Sequence, residues 1–154
     1  MDISHRRELI EKYRDGHRAV VDALHGLRDE ELDRSATDGW TPRMIAHHLG
    51  DSEMTSAIRL RRLVAEDDPL ISGYDEAQFA KTLTRDRPIE PSIEAMRWAR
   101  ESSLQIVERL TDEEWARTGT HAESGPYTVE RWLEIYAAHP HEHAAQIRRA
   151  RGRQ

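Results

Sequence analysis

Apolar side chains in this chain recur at steps of three and four residues over four separate stretches, and no stretch shows the two-residue alternation of a half-buried strand. That pattern confines the fold to helices packed on helices. The first stretch predicts a helix from about Ser4 to Leu27, carrying Leu9, Ile10, Tyr13, Val20, Val21 and Leu24, with Gly16 weakening its middle. Asp38-Gly39-Trp40 then reads as a turn. Thr41-Pro42 opens the second helix, with a hydroxyl cap and a proline where a missing N–H costs nothing. That helix runs to about Ala65, where Asp67-Asp68-Pro69 stops it. The third starts near Pro91-Ser92 and carries Ile93, Met96, Trp98, Leu104, Ile106, Val107 and Leu110. The fourth runs from about Val129 to Ala150. Leu70 to Pro91 is a long connection holding one short helix from about Asp75 to Lys81, and a loop of that length in a small domain is a crossover or a lid. Thr111-Asp-Glu-Glu114 spells a capping box for one further turn, and Gly125-Pro126-Tyr127-Thr128 reads as a turn and cap. The prediction is an all-α four-helix bundle, one domain over residues 1–154. Its neighbours run mostly antiparallel, and the pair flanking the long connection is the candidate for a parallel pair.

Composition narrows the functional classes. With 154 residues, 37% of them hydrophobic, the chain can build one modest core. The net charge of -6 argues against a general nucleic-acid binder, which needs a basic face for phosphates. The basic tail, Arg148-Arg149-Ala-Arg151-Gly-Arg153, reads as favourable charge at a helix C-terminus. No apolar run is long enough to cross a membrane, and Met1-Asp-Ile-Ser-His-Arg-Arg has no apolar segment of a secretory signal. The absence of cysteine excludes disulfides, Cys-zinc sites and a thiol nucleophile of the chain's own. A cytoplasmic protein fits these features.

The histidines carry the chemistry. Nine are present, and five fall in two clusters, His47-His48 and His139, His141, His143. Trp132, Ile135, Tyr136, His139, His143, Gln146 and Ile147 form one stripe on a helix of about 3.6 residues per turn. His139 and His143 therefore stack on one inward face, and His141 faces away. Inward imidazoles need something to satisfy their ring nitrogens, and a spacing of four suits two ligands of one metal ion. A strand would instead put all three on one face, and Pro140, awkward inside a helix, makes that alternative real. The stripe on both sides favours a helix kinked near Pro140, opposite the Tyr136 carbonyl. In the second helix His48 shares a stripe with Ile45 and Leu49 and is the better third ligand. His47 is only about 100° round the axis and stays a candidate. Three imidazoles leave positions open for water or substrate, and suit zinc, nickel, cobalt, copper or iron. His5, His17, His25 and His121 read as surface residues.

The same residues carry a family likeness. The chain resembles the DinB superfamily and, within it, the YfiT-like branch of metal-dependent hydrolases. The matching pieces are Gly39-Trp-Thr-Pro-Arg-Met-Ile-Ala-His-His-Leu-Gly-Asp-Ser-Glu-Met54, Ile58-Arg59, Glu66-Asp-Asp-Pro-Leu-Ile71, Gly73-Tyr-Asp-Glu76, Glu123-Ser-Gly125 and Tyr136-Ala-Ala-His-Pro-His-Glu-His-Ala-Ala-Gln-Ile147. They cover nearly the whole chain in order. The resemblance implies an up-down-down-up bundle with a divalent metal, zinc ahead of nickel, on His48, His139 and His143. It implies a homodimer acting on a small-molecule substrate, either by hydrolysis or by transfer to a low-molecular-weight thiol such as bacillithiol or mycothiol. Pro140, His141 and Gln146 depart from close YfiT relatives and bear on pocket shape. Beside the ligands, Asp51 is a candidate to orient an imidazole. Arg59 is a candidate for an anionic substrate group, and Tyr74 for covering the pocket. The other class of function is a metal-stabilised binding or stress protein without turnover.

Overall fold

Local chemistry sets the helix boundaries. The Thr41 side chain accepts from Met44 N, with Pro42 in the first turn, so the helix α3 (Pro42–Ala65) begins where the sequence places it. Asp2 caps α1 (Ile3–Leu24), and Thr128 caps α7 (Val129–Arg151). The fourth long helix is α5 (Glu90–Val107). Short helices α2 (Asp29–Leu32), α4 (Glu76–Leu83) and α6 (Asp112–Trp115) lie in the connections, the last opened by the Thr111–Glu114 capping box. The computed structural model describes residues 1–35 and 39–152 of the chain. Of the turn expected at Asp38-Gly39-Trp40, Asp38 lies outside them, as does Arg153 of the basic tail. Gly39 takes a φ of +81°, which favours glycine.

The long helices form an up-down-down-up bundle. α1 packs on α7 and α5, and α3 packs on α5 and α7. Arg6 meets Glu130, His141 meets the Lys12 carbonyl and Arg151 meets the His25 carbonyl, so α1 and α7 run parallel. In the basic tail, Arg148 donates to the Ala19 carbonyl within α1 and Arg151 to the His25 carbonyl just past its end. Gly50 packs against Ser92 and Arg61 bonds Ser102, so α3 and α5 run parallel too. The pair flanking the long connection is parallel as expected, and the up-down-down-up order implied by the resemblance brings a second parallel pair. The second joins the first and last helices, a pairing that no single loop length reveals.

A small sheet was not expected. β1 (Leu70–Ile71), β2 (Thr118–His121) and β3 (Gly125–Thr128) pair in that order, β1 with β2 parallel and β2 with β3 antiparallel. The turn read at Gly125–Thr128 is therefore a strand that ends in the expected cap. These strands are at most four residues long and hold Gly119, Gly125 and Pro126, so they lack the β-branched run that marks a strand. The sheet ties the long connection to the α6–α7 segment and so closes one end of the bundle.

The core has two parts. One gathers Tyr13, Leu60, Leu63, Trp132, Leu133 and Tyr136, with Tyr13 and Trp132 rings 5.2 Å apart; the other gathers Val20, Ile45, Leu49, Met96 and Ile147. Each such side chain contributes about 1.5–3 kcal/mol by leaving water. Trp98 does not join them. It is 59% exposed with the Arg97 guanidinium over its ring, so apolar spacing misassigned its face.

Candidate metal centre

His48 rises from α3, and His139 and His143 from α7, where the antiparallel contact of the two helices turns all three rings toward one point. Nε2 of His48 lies 3.1 Å from Nε2 of His139, which lies 3.0 Å from Nε2 of His143. The three donor atoms sit within 4.8 Å of one another, the one such group of ligating side chains found among the described residues. His141 turns away and donates to the Lys12 carbonyl. α7 continues as helix through Pro140, so the strand alternative is excluded. His47 is 1% exposed and fully occupied elsewhere. Its Nδ1 accepts from the Ser92 hydroxyl at 2.8 Å, and its Nε2 faces the Arg87 carbonyl at 3.3 Å. Of the two, His48 is the one whose ring is brought together with His139 and His143.

Hydrogen bonding among neutral rings serves only one of the two contacts of His139 Nε2 well. A neutral imidazole nitrogen carries either one proton or one lone pair. The Nδ1 of His143 donates to Gln146 Oε1 at 2.7 Å, which leaves a lone pair on its Nε2. His139 Nε2 faces two neighbours, and one proton serves only one of them with good geometry. Three lone pairs aimed at a shared cation remove the conflict. Separations of 3.0–3.1 Å also match bonds of about 2.0–2.1 Å from imidazole to a common first-row ion. Burial first, and then neighbouring His143, draws the His48 pKa down to about 4. Burial, His143, His48 and Arg100 draw His139 down to about 3. Both rings are therefore held in the neutral form that a metal needs.

A cavity of about 590 Å³ reaches this centre at His139. Arg59, Glu76, Glu123, Tyr127 and Tyr136 are among the side chains that line it. Arg59 donates to the Tyr136 hydroxyl at 3.0 Å and to the Ser72 carbonyl at 2.8 Å, and has no ion-pair partner among the described residues. Tyr74 does not line the cavity. It packs on Phe79 in an adjoining recess that it shares with Arg59, and burial raises its pKa. Asp51 is not brought to the ligands either. Nδ1 of His48 and of His139 have no hydrogen-bond partner among the described residues, and the charged groups that act on Asp51 are Arg87 and His47.

Further residues at or near the centre take roles that the sequence did not assign to them. Trp40 covers the centre, with its ring 5.3 Å from His48 and 6.4 Å from His143. Gln146 fixes the His143 ring, and its i,i+3 spacing was the available signal. His121, read as a surface residue, is 9% exposed and packs on Tyr127 at 5.6 Å. It sits in the hairpin that sequence missed, so its burial had no local sign. His17 is half-buried, not exposed, and its Nε2 is buried without a partner among the described residues.

The model of the DinB superfamily matches residues 12–147. The chain belongs to this superfamily. DinB relatives include a protein of Oceanobacillus iheyensis named "putative metal-dependent hydrolase", 33% identical over 141 residues that cover 91% of this chain and 82% of the relative. YfiT of Bacillus subtilis, with the same description, is 32% identical over 81% of this chain and 72% of its own. A solved structure of YfiT, titled a probable metal-dependent hydrolase with an unusual four-helix bundle topology, superposes with a TM-score of 0.91. It is 25% identical, over 97% of this chain and 87% of that one.

Proposed function

We infer that this DinB chain is a metal-dependent enzyme acting on a small molecule, with His48, His139 and His143 as the ligands of one divalent ion. The observation that carries this is the convergence of three Nε2 atoms on one point at the end of an open cavity. A divalent metal held there supplies Lewis acidity, which lowers the pKa of a water or thiol and makes it a nucleophile near neutral pH. The chain's own residues do the rest. Gln146 locks the His143 ring with its Nε2 lone pair turned to the centre, and Trp40 walls one side against water. Arg59, pinned by Tyr136 and Ser72 and near Glu76 but with no carboxylate at ion-pair distance among the described residues, is placed to take an anionic group of the substrate. The nucleophile is water for hydrolysis, or an external thiol for S-transfer, since the chain has no cysteine. Zinc or nickel suits three imidazoles.

The test is elemental analysis of protein purified without a metal-affinity step, joined to rate measurements with metal removed and restored. Conjugation of a bimane-type electrophile to bacillithiol, mycothiol, glutathione and cysteine is compared with ester hydrolysis. One bound ion per chain and a metal-dependent rate are expected. Bound metal with no rate on either panel moves the site to the metal-stabilised, non-catalytic class, and absence of metal overturns the reading.

A further inference from the structure

Pro140 stands between the two α7 histidines and has no N–H, so the carbonyl of Tyr136, four residues back, has no helical donor. Proline at such a position normally kinks a helix. A kink of about 20° would swing an imidazole near the helix surface by roughly 2 Å. His139 and His143 lie on either side of this point, yet their Nε2 atoms stay 3.0 Å apart.

The missing donor is supplied from α5. Arg100, 4% exposed, places Nη2 at 3.2 Å from the Tyr136 carbonyl and also donates to the Tyr13 carbonyl of α1. Its Nη1 donates to Glu53 Oε2 at 2.5 Å, and Glu53 Oε1 accepts from the Tyr13 hydroxyl at 2.8 Å. The guanidinium also lies 3.8 Å over the Tyr13 ring. One side chain thus joins all four long helices at the level of the histidines. Space for it is made by Gly16, where a Cβ would come within 2.6 Å of Arg100 Nη2 and 2.7 Å of Pro140 Cγ. Stability alone is a weak reason for this pair, because apolar residues of similar volume often replace a buried ion pair without loss.

We propose that Arg100 is a positioning residue for the histidine centre: by donating to the Tyr136 carbonyl that Pro140 leaves free, it keeps α7 regular through the turn bearing His139 and His143. The proposal rests on the reading of that centre as metal-binding. The guanidinium fork is essential to it, since it serves Glu53 and two carbonyls at once, and a lysine ammonium would keep the charge without the reach.

Cobalt(II) is the probe, because its visible absorption reports both affinity and ligand geometry. Four metal-free proteins are titrated: wild type, Arg100→Lys, Pro140→Ala and the double variant. Arg100→Lys should weaken cobalt binding at least tenfold and alter the absorption bands. In the Pro140→Ala background, where a backbone N–H returns to the Tyr136 carbonyl, the same substitution should change binding less than threefold. Melting temperature should fall with Arg100→Lys in both backgrounds, because the Glu53 contact is lost in both. Rescue of cobalt affinity without rescue of melting separates positioning from stability. Wild type that binds cobalt, with Arg100→Lys unchanged or equally impaired or unfolded in both backgrounds, overturns the positioning role alone. A wild type that takes up no cobalt removes the metal reading and this proposal with it.

Discussion

His139 is the residue on which the centre turns, because its Nε2 faces both of the others. His139→Ala should abolish bound metal in elemental analysis, whereas His141→Ala, which loses only a bond to the Lys12 carbonyl, should keep metal content near the wild-type level. Protons compete at the same atoms. His48 and His139 have folded pKa values near 4 and 3, below the ordinary value of about 6.5, so the unfolded chain takes up protons first as pH falls. The stability they contribute is complete above about pH 6.5 and is lost progressively as pH falls through about 4 for His48 and about 3 for His139. Urea titrations of metal-free protein should show a loss on the order of a few kcal/mol across that window, and His139→Gln should flatten the curve. The three histidines that meet were legible because helical spacing puts them on inward stripes. The roles of Gln146 and Trp40 were not read, since an amide on the stripe does not announce which ring it bonds, and Trp40 reaches His48 and His143 only once α3 and α7 are packed together.

Element by element, the long helices are written in their caps and apolar steps, and α3 begins where Thr41-Pro42 says it should. The hairpin is not, because pairing supplies what its four-residue strands lack in propensity. Pro140 and Gly16 look like two defects in two different helices, and in the structure they are one contact with Arg100 between them. Gly16→Ala tests this. Helix propensity alone would favour alanine by about 1 kcal/mol. The crowding it creates costs about 1–3 kcal/mol, with neighbours that are a buried arginine and a proline ring. We expect net destabilisation, read as a lower melting temperature, and an accompanying loss of cobalt affinity.

Across the whole molecule, a metal held by the proposed ligands would cross-link α3 to α7, so it should raise stability by mass action. At a free concentration about 100 times its Kd the gain is about 2.7 kcal/mol, or roughly 5–10 °C in Tm for a chain of this size. His139→Ala should show no such rise in a thermal melt with added zinc or nickel. The up-down-down-up order was expected through the family resemblance, while the residue pattern alone reached only one of its two parallel pairs. The second pair sets a condition on biosynthesis. α1 leaves the ribosome ahead of the other long helices and its parallel neighbour α7 behind them, so the α7 side of Tyr13 and Val20 stays uncovered until the last long helix is made, even after α3 and α5 are available to pack on them. The histidine cluster, split between α3 and α7, can therefore assemble only once the final long helix has emerged.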